Sequence, residues 1–281
     1  MIRRAEEEIY ITDRIAYLRL QKTGSSHVLR ALKMVCPGRQ GEMHGRLPES
    51  ILHSDRVIAA SVRNPWDWYV SVWAYGCDGK GVLFDRLTEP RKLLGHGYRS
   101  SILTGVSNLL YELCRSRRIW RETYSDSSSP ALFRRWLQAL LDPEKSRVLG
   151  EAYCNSSLSR FSGFYTYRYC HLFHSTVEHL YDGTIHNQET LREAEARFNI
   201  IQHMLRMEKL TDGILELLKK AGIAIDRETT KKIMEMNRTN PSSRLRDTSI
   251  YYDHQTTELV REREALIVEK YGYRSPEIEA Q

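Results

Sequence analysis

The sequence predicts an α/β fold in three layers, with helices on both faces of a mainly parallel central sheet. Three stretches carry this prediction, because each reads as an apolar strand, a polar corner and then a helix with apolar residues along one side. They start near residues 16, 56 and 198. The second strand, RVIAASV at 56–62, is an almost uninterrupted apolar run, as expected for a strand buried on both faces of a parallel sheet.

The first unit lies within residues 8–35. Residues 8–20 read as strand material, with Ala16 to Leu20 as the last strand before a loop at Lys22 to Ser26. We expect Ser25 or Ser26 to cap the helix that follows, because serine side chains accept hydrogen bonds from the first backbone N–H groups of helices. Pro37-Gly38 then ends this helix.

The later elements follow from the same signals. Arg63-Asn64-Pro65 ends the second strand, and a helix starts at about Trp66. The segment 198–220 predicts a strand, a Glu-Lys-Leu-Thr corner and an amphipathic helix that ends at Gly222. Further helices are expected around the sequence PALFRRWLQALL, near 226–236, and as one long charged helix over about 253–270.

Length and composition predict a single domain over residues 1–281. Its core spans about 8–76 and 198–273, and residues 77–197 form an insertion. The five cysteines are odd in number and widely spaced, so neither a disulfide framework nor a zinc knuckle is expected. Acidic residues near the N-terminus and the lack of a long apolar run argue against a secretion signal and stable membrane insertion. A cytoplasmic protein is therefore expected.

The formal net charge of +6 favours anionic ligands. Nucleic acid is not expected as a partner, because the arginines are scattered among acidic residues and no standard nucleic-acid-binding signature occurs. The aromatic-rich segment around Phe161 to Phe173 is a candidate surface for a homodimer, although such a segment is more often core.

The loop Lys22-Thr23-Gly24-Ser25-Ser26 is the first candidate binding element. A glycine turn at a helix N-terminus, with an ammonium and hydroxyl groups beside it, is a common way to hold a phosphate or a sulfate. An ordinary Walker A loop places its lysine after a second glycine, whereas Lys22 precedes Gly24 and no glycine lies upstream. A typical P-loop ATPase is therefore not indicated.

Arg63 and Ser71 form the second candidate binding element. Arg63 follows the second strand, and Ser71 lies about two turns into the next helix. The carboxyl ends of parallel strands meet at one edge of the sheet, so this pair is expected beside the Lys22 loop. Two such anion cradles predict a ligand with two anionic groups.

Several segments of the sequence resemble the sulfotransferases that use 3′-phosphoadenosine 5′-phosphosulfate (PAPS). The similar segments are KTGSS after a strand, RNPWDWYVS after the next strand, MLRMEKLTDGILELLKKAGI, MNRTNPSSR and the final charged helix. The likeness is to the carbohydrate and bacterial branch and covers roughly 16–76 and 198–273. Two positions depart from the usual pattern: Gln21 stands where proline is common, and Trp68 where an arginine usually follows the aspartate.

The resemblance implies a P-loop-like sulfotransferase fold and a role for each matched residue. Residues implied to hold the 5′-phosphosulfate are Lys22, Thr23, Gly24, Ser25 and Ser26. Residues implied to hold the 3′-phosphate are Arg63 and Ser71. The loop from Asn237 to Arg244 would close over the nucleotide, with Ser242, Ser243 and Arg244 as its contacts.

The chemistry is close to phosphoryl transfer, with positioning and fixed positive charge doing most of the work. Lys22 would neutralise charge on the leaving phosphate, and no divalent metal is expected to be required. His44 is the predicted general base, because the connection that contains it opens onto the same sheet edge; His53, His96 and Glu42 are the alternatives. The acceptor is a hydroxyl compound, either a carbohydrate or a small molecule.

Two other functions stay open from the sequence. One is a nucleotide or small-molecule kinase with a divergent phosphate loop, which would need Mg²⁺ and ATP. The other is a non-catalytic nucleotide-binding relative that keeps both cradles and lacks the base.

Overall fold

A computed structural model of the chain describes residues 9–41, 47–90, 115–150, 152–236, 244–245 and 247–278. In these ranges five strands form one sheet, in the order β3-β1-β2-β4-β5. The strands are β1 (Ile9–Thr12), β2 (Ile15–Leu18), β3 (Gly38–Gly41), β4 (Val57–Val62) and β5 (His203–Arg206).

The sheet is mixed, so the prediction of a mainly parallel sheet is wrong. β2 pairs with β4 and β4 with β5 in parallel, but β1 runs antiparallel to both β2 and β3. The cause is a tight turn at Asp13 and Arg14 that splits the predicted first strand into a hairpin. Thr12 closes this turn, because its Oγ1 accepts hydrogen bonds from the backbone N–H groups of Arg14 (3.2 Å) and Ile15 (2.8 Å).

Side chains alternate between two apolar layers on the two faces of the sheet, as the pleat of a strand requires. Ile9, Ile11 and Leu18 belong to one layer, whereas Tyr10 and Tyr17 belong to the other. Helices cover both layers, so the general α/β arrangement with helices on both faces is confirmed.

Thirteen α-helices lie in the described ranges. They are α1 (Ser25–Val35), α2 (Glu49–Leu52), α3 (Pro65–Cys77), α4 (Val82–Thr88), α5 (Arg118–Thr123), α6 (Pro130–Leu141), α7 (Ser146–Leu149), α8 (Phe164–Phe173), α9 (Gln188–Phe198), α10 (Leu210–Lys220), α11 (Arg227–Met234), α12 (His254–Arg263) and α13 (Ala265–Tyr271). None of those helices combines the length and the apolar content that crossing a membrane requires.

The predicted long C-terminal helix is instead two helices, α12 and α13, which meet at Glu264. Glu264 is fully buried, and its carboxylate accepts hydrogen bonds from the backbone N–H (2.8 Å) and hydroxyl (2.5 Å) of Thr166 and from the Tyr69 hydroxyl. A charged side chain buried this deeply needs such partners. Its backbone adopts φ −112° and ψ 25°, outside the helical region, and ends α12.

The aromatic-rich segment around Phe161 to Phe173 is part of the core. Phe164, Tyr165, Tyr169 and Phe173 are each at most 1% exposed. They pack in the apolar layer that also contains α3 and α6. These four side chains are therefore part of the core, and the homodimer stays a prediction.

Candidate functional site

A cleft of about 420 Å³ opens at the carboxyl ends of the three parallel strands β2, β4 and β5. This volume falls in the range of roughly 300–1,000 Å³ that is usual for small-molecule sites. The lining residues are Gln21, Lys22, Gly24, Ser25, Ser26, His27, Arg63, Ser71, Tyr75, Met207, Glu208, Lys209, Leu210, Thr211, Asp212 and Met236. Most of the residues predicted from the sequence to hold anions therefore face one space.

Lys22 lies in the loop between β2 and α1 with an unusual backbone conformation. Its φ of 66° is in the left-handed region, which non-glycine residues adopt only where neighbouring groups hold the backbone. The carbonyl before it, Gln21 O, accepts from the indole N–H of Trp68 at 2.8 Å. Its own carbonyl accepts from Arg63 Nη1 at 3.1 Å. The Lys22 ammonium lies 4.0 Å from the ring centroid of Tyr75.

Gly24 is the residue before α1, and its backbone conformation favours glycine. Its φ is +81°, and an added Cβ would lie 2.4 Å from Met207 Sδ and 2.7 Å from Leu210 Cδ2. The prediction that Ser25 or Ser26 caps this helix is wrong, because both serines are already inside it and no side chain caps it. The first N–H groups of a helix have no acceptor within the helix, so this end can offer them to an anion.

Thr23 points away from the cleft, into the protein. Its buried hydroxyl donates to Leu20 O at 2.7 Å and lies 2.7 Å from Ser61 Oγ on β4. Ser61 in turn contacts the Tyr17 hydroxyl at 2.7 Å. The Thr23 side chain thus ties the loop to the sheet, and it is the backbone of Thr23 that can contribute to the predicted cradle.

Arg63 follows β4 directly, and its residue is 8% exposed. Its Nε donates to Asp67 Oδ2 at 2.6 Å, its Nη2 pairs with the same oxygen, and its Nη1 donates to Lys22 O. A guanidinium has five N–H groups, so these contacts account for three of them. Burial lowers the pKa of Arg63 and Asp67 acts against this, but an arginine stays charged in proteins.

Asp67 joins Arg63 to the C-terminal part of the chain. Its Oδ1 accepts from Arg244 Nη2 at 2.6 Å and from the Thr248 hydroxyl at 2.8 Å. Burial would raise the pKa of Asp67, but Arg63 and Arg244 outweigh it and hold the pKa below its ordinary value. Arg244, predicted to contact the nucleotide, thus pairs with the same carboxylate as Arg63 and does not line the cleft. Ser242 and Ser243 lie outside the described residues.

Ser71 is on α3, two turns after Arg63, and its side chain lines the cleft although the residue is only 4% exposed. The structure therefore brings Ser71 and Arg63 to the same wall, as the spacing predicts.

The predicted base cannot be placed, since His44 lies outside the described residues, as do Glu42 and His96. His53 is described and is exposed just before β4, at the sheet edge opposite to Arg63. His53 does not line the cleft, and the structure gives it no part in the site.

Sequence reasoning missed several residues in and next to the cleft. Met207 and Glu208 follow β5 and line the cleft, and Glu208 Oε1 accepts from the backbone N–H of Asn64 at 2.8 Å. The rule that ligands bind at the carboxyl ends of parallel strands could have found them. The sequence indicates Tyr75 only weakly, through its position one helical turn after Ser71. The Tyr165 hydroxyl contacts the Arg63 backbone. No sequence signal could have indicated this contact, because the two residues are far apart in sequence.

A second polar cluster lies inside the helical part of the protein. Cys170, His174 and Glu195 bring three metal-ligand atoms within 4.8 Å of one another, the one such group among the described residues. However, His174 Nε2 lies 2.6 Å from Glu195 Oε2, and the Lys270 ammonium pairs with Glu195 Oε1. A cation already neutralises this carboxylate, so the cluster fits a buried hydrogen-bond network better than a metal centre.

No family model matches this chain, and neither the curated proteins nor the solved structures compared with it include a match.

Proposed function

We propose that this protein is a sulfotransferase that moves a sulfuryl group from PAPS to a hydroxyl of a carbohydrate or small-molecule acceptor. One observation carries the proposal: Lys22 and Arg63, from the ends of adjacent parallel strands, line the same cleft and are joined by a 3.1 Å hydrogen bond. The sequence resemblance to the sulfotransferases that use PAPS supports the same activity.

The cleft suits a ligand with two anionic groups. One cradle consists of the Lys22 ammonium and the start of α1 with Ser25 and Ser26, which suits a 5′-phosphosulfate. The second consists of the Arg63 guanidinium and the Ser71 hydroxyl, which suits a 3′-phosphate. Met207 and Tyr75 add apolar wall between polar groups, as is usual in nucleotide sites.

In the proposed reaction the bond between sulfur and the 5′-phosphate oxygen breaks as a bond from sulfur to the acceptor oxygen forms. Lys22 neutralises the negative charge that grows on the departing phosphate. A general base takes the proton of the acceptor hydroxyl, and His44 remains our proposal for it. Adenosine 3′,5′-bisphosphate (PAP) is the product that leaves. No divalent metal takes part in this scheme.

We also propose a cytoplasmic location. Four of the five cysteines lie in the described ranges, and Cys36, Cys77, Cys154 and Cys170 are all free thiols. Free, partly buried thiols are usual in a reducing compartment.

Calorimetric titration with PAP tests the binding half of the proposal. We expect the wild-type protein to bind PAP and Lys22→Ala and Arg63→Ala to bind it roughly 10- to 100-fold more weakly, the range for loss of one charge-assisted hydrogen bond. Lys33→Ala and Arg192→Ala are matched controls, because both side chains pair on the surface away from the cleft. PAP binding that neither cleft variant weakens would refute the site.

Transfer of labelled sulfate from PAPS to a panel of sugars and phenols tests the catalytic half. We expect transfer that EDTA does not inhibit and that Lys22→Ala abolishes. Turnover of ATP that needs Mg²⁺ would instead identify a kinase, and tight PAP binding with no transfer to any acceptor would identify a non-catalytic relative.

A further inference from the structure

Trp68 and Tyr165 form a stacked pair directly behind the cleft. Their ring centroids are 4.3 Å apart with an angle of 11° between the planes, and both residues are fully buried. Neither side chain lines the cleft, so neither touches a ligand there. Each nevertheless bonds to the backbone that carries one of the two cations.

Tyr165 fixes the backbone of Arg63. Its hydroxyl accepts from the Arg63 N–H at 3.0 Å and donates to the Arg63 carbonyl at 3.1 Å. Both backbone polar groups of one residue are thus held by one oxygen atom. Since Arg63 lies beyond the last paired residue of β4, this contact replaces the sheet hydrogen bonds that would otherwise fix it.

Trp68 fixes the backbone of the Lys22 loop. Its indole N–H donates to Gln21 O at 2.8 Å, directly before the left-handed Lys22. A residue with this φ relaxes unless neighbouring groups restrain it. Two restraints on it are the Trp68 bond to the preceding carbonyl and the Arg63 bond to its own carbonyl.

The pair itself rests on a rigid base. Tyr165 lies in the first turn of α8, where its N–H donates to the buried carboxylate of Glu264 at 3.3 Å. Trp68 lies in the first turns of α3, which Asn64 caps and Pro65 begins. The two rings stack between α3 and α8.

We infer that Trp68 and Tyr165 are positioning residues that hold the two anion cradles at the spacing of one nucleotide's 5′- and 3′-phosphates. This inference rests on the proposed function and names the part of the ligand that each residue serves. Trp68 serves the 5′ cradle through the Lys22 loop. Tyr165 serves the 3′ cradle through Arg63. This role also gives a reason for tryptophan at position 68, where the sulfotransferases that the sequence resembles usually have an arginine.

The test compares three ligands on two variants. Tyr165→Phe keeps the ring and removes only the hydroxyl, whereas Trp68→Phe removes the indole N–H and also makes the buried side chain smaller. PAP binding is measured by calorimetry, and adenosine 5′-phosphate and adenosine 3′-phosphate are measured by displacement of PAP. Trp73→Phe and Tyr167→Phe are matched controls on the same two helices, because their buried polar atoms bond to Thr123 O and the Tyr181 hydroxyl.

We expect a crossed pattern. Tyr165→Phe weakens binding of the 3′-phosphate about tenfold and of the 5′-phosphate less than twofold, and Trp68→Phe does the reverse. Both weaken PAP about tenfold, and the controls change none of the three. The ratio of the two monophosphate affinities is taken on one sample, so it does not depend on the fraction of protein that is folded. General destabilisation therefore leaves this ratio unchanged, and either variant suffices if the other fails to fold.

Two results would overturn the inference in distinguishable ways. If the wild-type protein binds PAP but both variants keep the wild-type ratio, the positioning role is wrong and the proposed function stands. If the wild-type protein binds none of the three nucleotides, the proposed function fails and the positioning role fails with it.

Discussion

Replacing the buried Glu264 with glutamine should change how stability depends on pH. The Glu264 carboxylate supports the Tyr165 backbone and separates the two last helices, with no exposure to solvent. Burial raises its pKa from 4.5 to about 7, although hydrogen bonds from Thr166 and Tyr69 and the charge of Arg263 act in the opposite direction. Glutamine has nearly the same shape and does not titrate.

The size of the effect follows from this shift. The folded protein holds the Glu264 proton more tightly than the unfolded chain does, so its contribution to stability is complete below about pH 4.5 and is lost as the pH rises to about 7. With about 1.4 kcal/mol for each pKa unit, wild type loses about 3 kcal/mol over this interval. The free energy of unfolding of Glu264→Gln minus that of wild type should therefore rise by about 3 kcal/mol.

Urea denaturation at a series of pH values from about 4.5 to 8 measures this difference. His179, whose pKa burial and His174 lower to about 4, titrates in both proteins and cancels in the subtraction. The misfit of an amide among hydrogen-bond donors adds an offset that does not change with pH. Glu269→Gln, which removes the carboxylate of an exposed pair with Arg192, is the control for the loss of one surface carboxylate. A flat or falling difference for Glu264→Gln would refute the reasoning, because the donors would then outweigh burial.

Two further predictions concern the cleft itself. Gly24→Ala should destabilise the protein more than Gly79→Ala. Both positions have a positive φ, which costs an alanine about 1 kcal/mol, but only at Gly24 must the side-chain ends of Met207 and Leu210 also move; equal losses in urea denaturation would contradict the close approach. Asp67→Ala should cost about 3 kcal/mol at pH 7, because it leaves the buried Arg63 and the partly exposed Arg244 without their carboxylate, and Asp67→Asn should cost less; an unchanged urea midpoint for Asp67→Ala would count against this ion-pair network.

Local signals in the sequence were sufficient for the three strand–loop–helix units. Apolar runs, Pro65 and Gly222 mark their limits, and each acts over a few residues. The direction of β1 was missed because the turn at Asp13 and Arg14 offers Asp13 as a turn residue but no glycine, proline or asparagine. The Thr12 side chain closes that turn by accepting backbone hydrogen bonds. Most threonines in strands do not make such a turn, so the sequence alone does not indicate it. The end of α12 was missed because it depends on Thr166, which is remote in sequence.

The cations of the site could be predicted, but the groups that hold them could not. Lys22 and Arg63 each follow a strand, and the geometry of parallel strands predicts that such positions meet. The roles of Thr23 and the two serines are harder to predict. A hydroxyl can bind a ligand, cap a helix or form a hydrogen bond in the core, and which of these occurs depends on the group it meets. For Thr23 that partner is Ser61 on the neighbouring strand. The contact of Tyr165 with Arg63 is likewise visible only in three dimensions.

The mixed sheet explains why the wrong prediction for β1 did not affect the prediction that Lys22, Arg63 and Ser71 line one cleft. The antiparallel strand β1 lies between β3 and β2, on one side of the sheet, whereas β2, β4 and β5 are parallel neighbours on the other side. The strand-end positions of the cleft follow these three parallel strands, whose carboxyl ends share one edge. Reversing β1 therefore changes the far side of the sheet and leaves this edge as it is. The site depends on the direction of its own three strands.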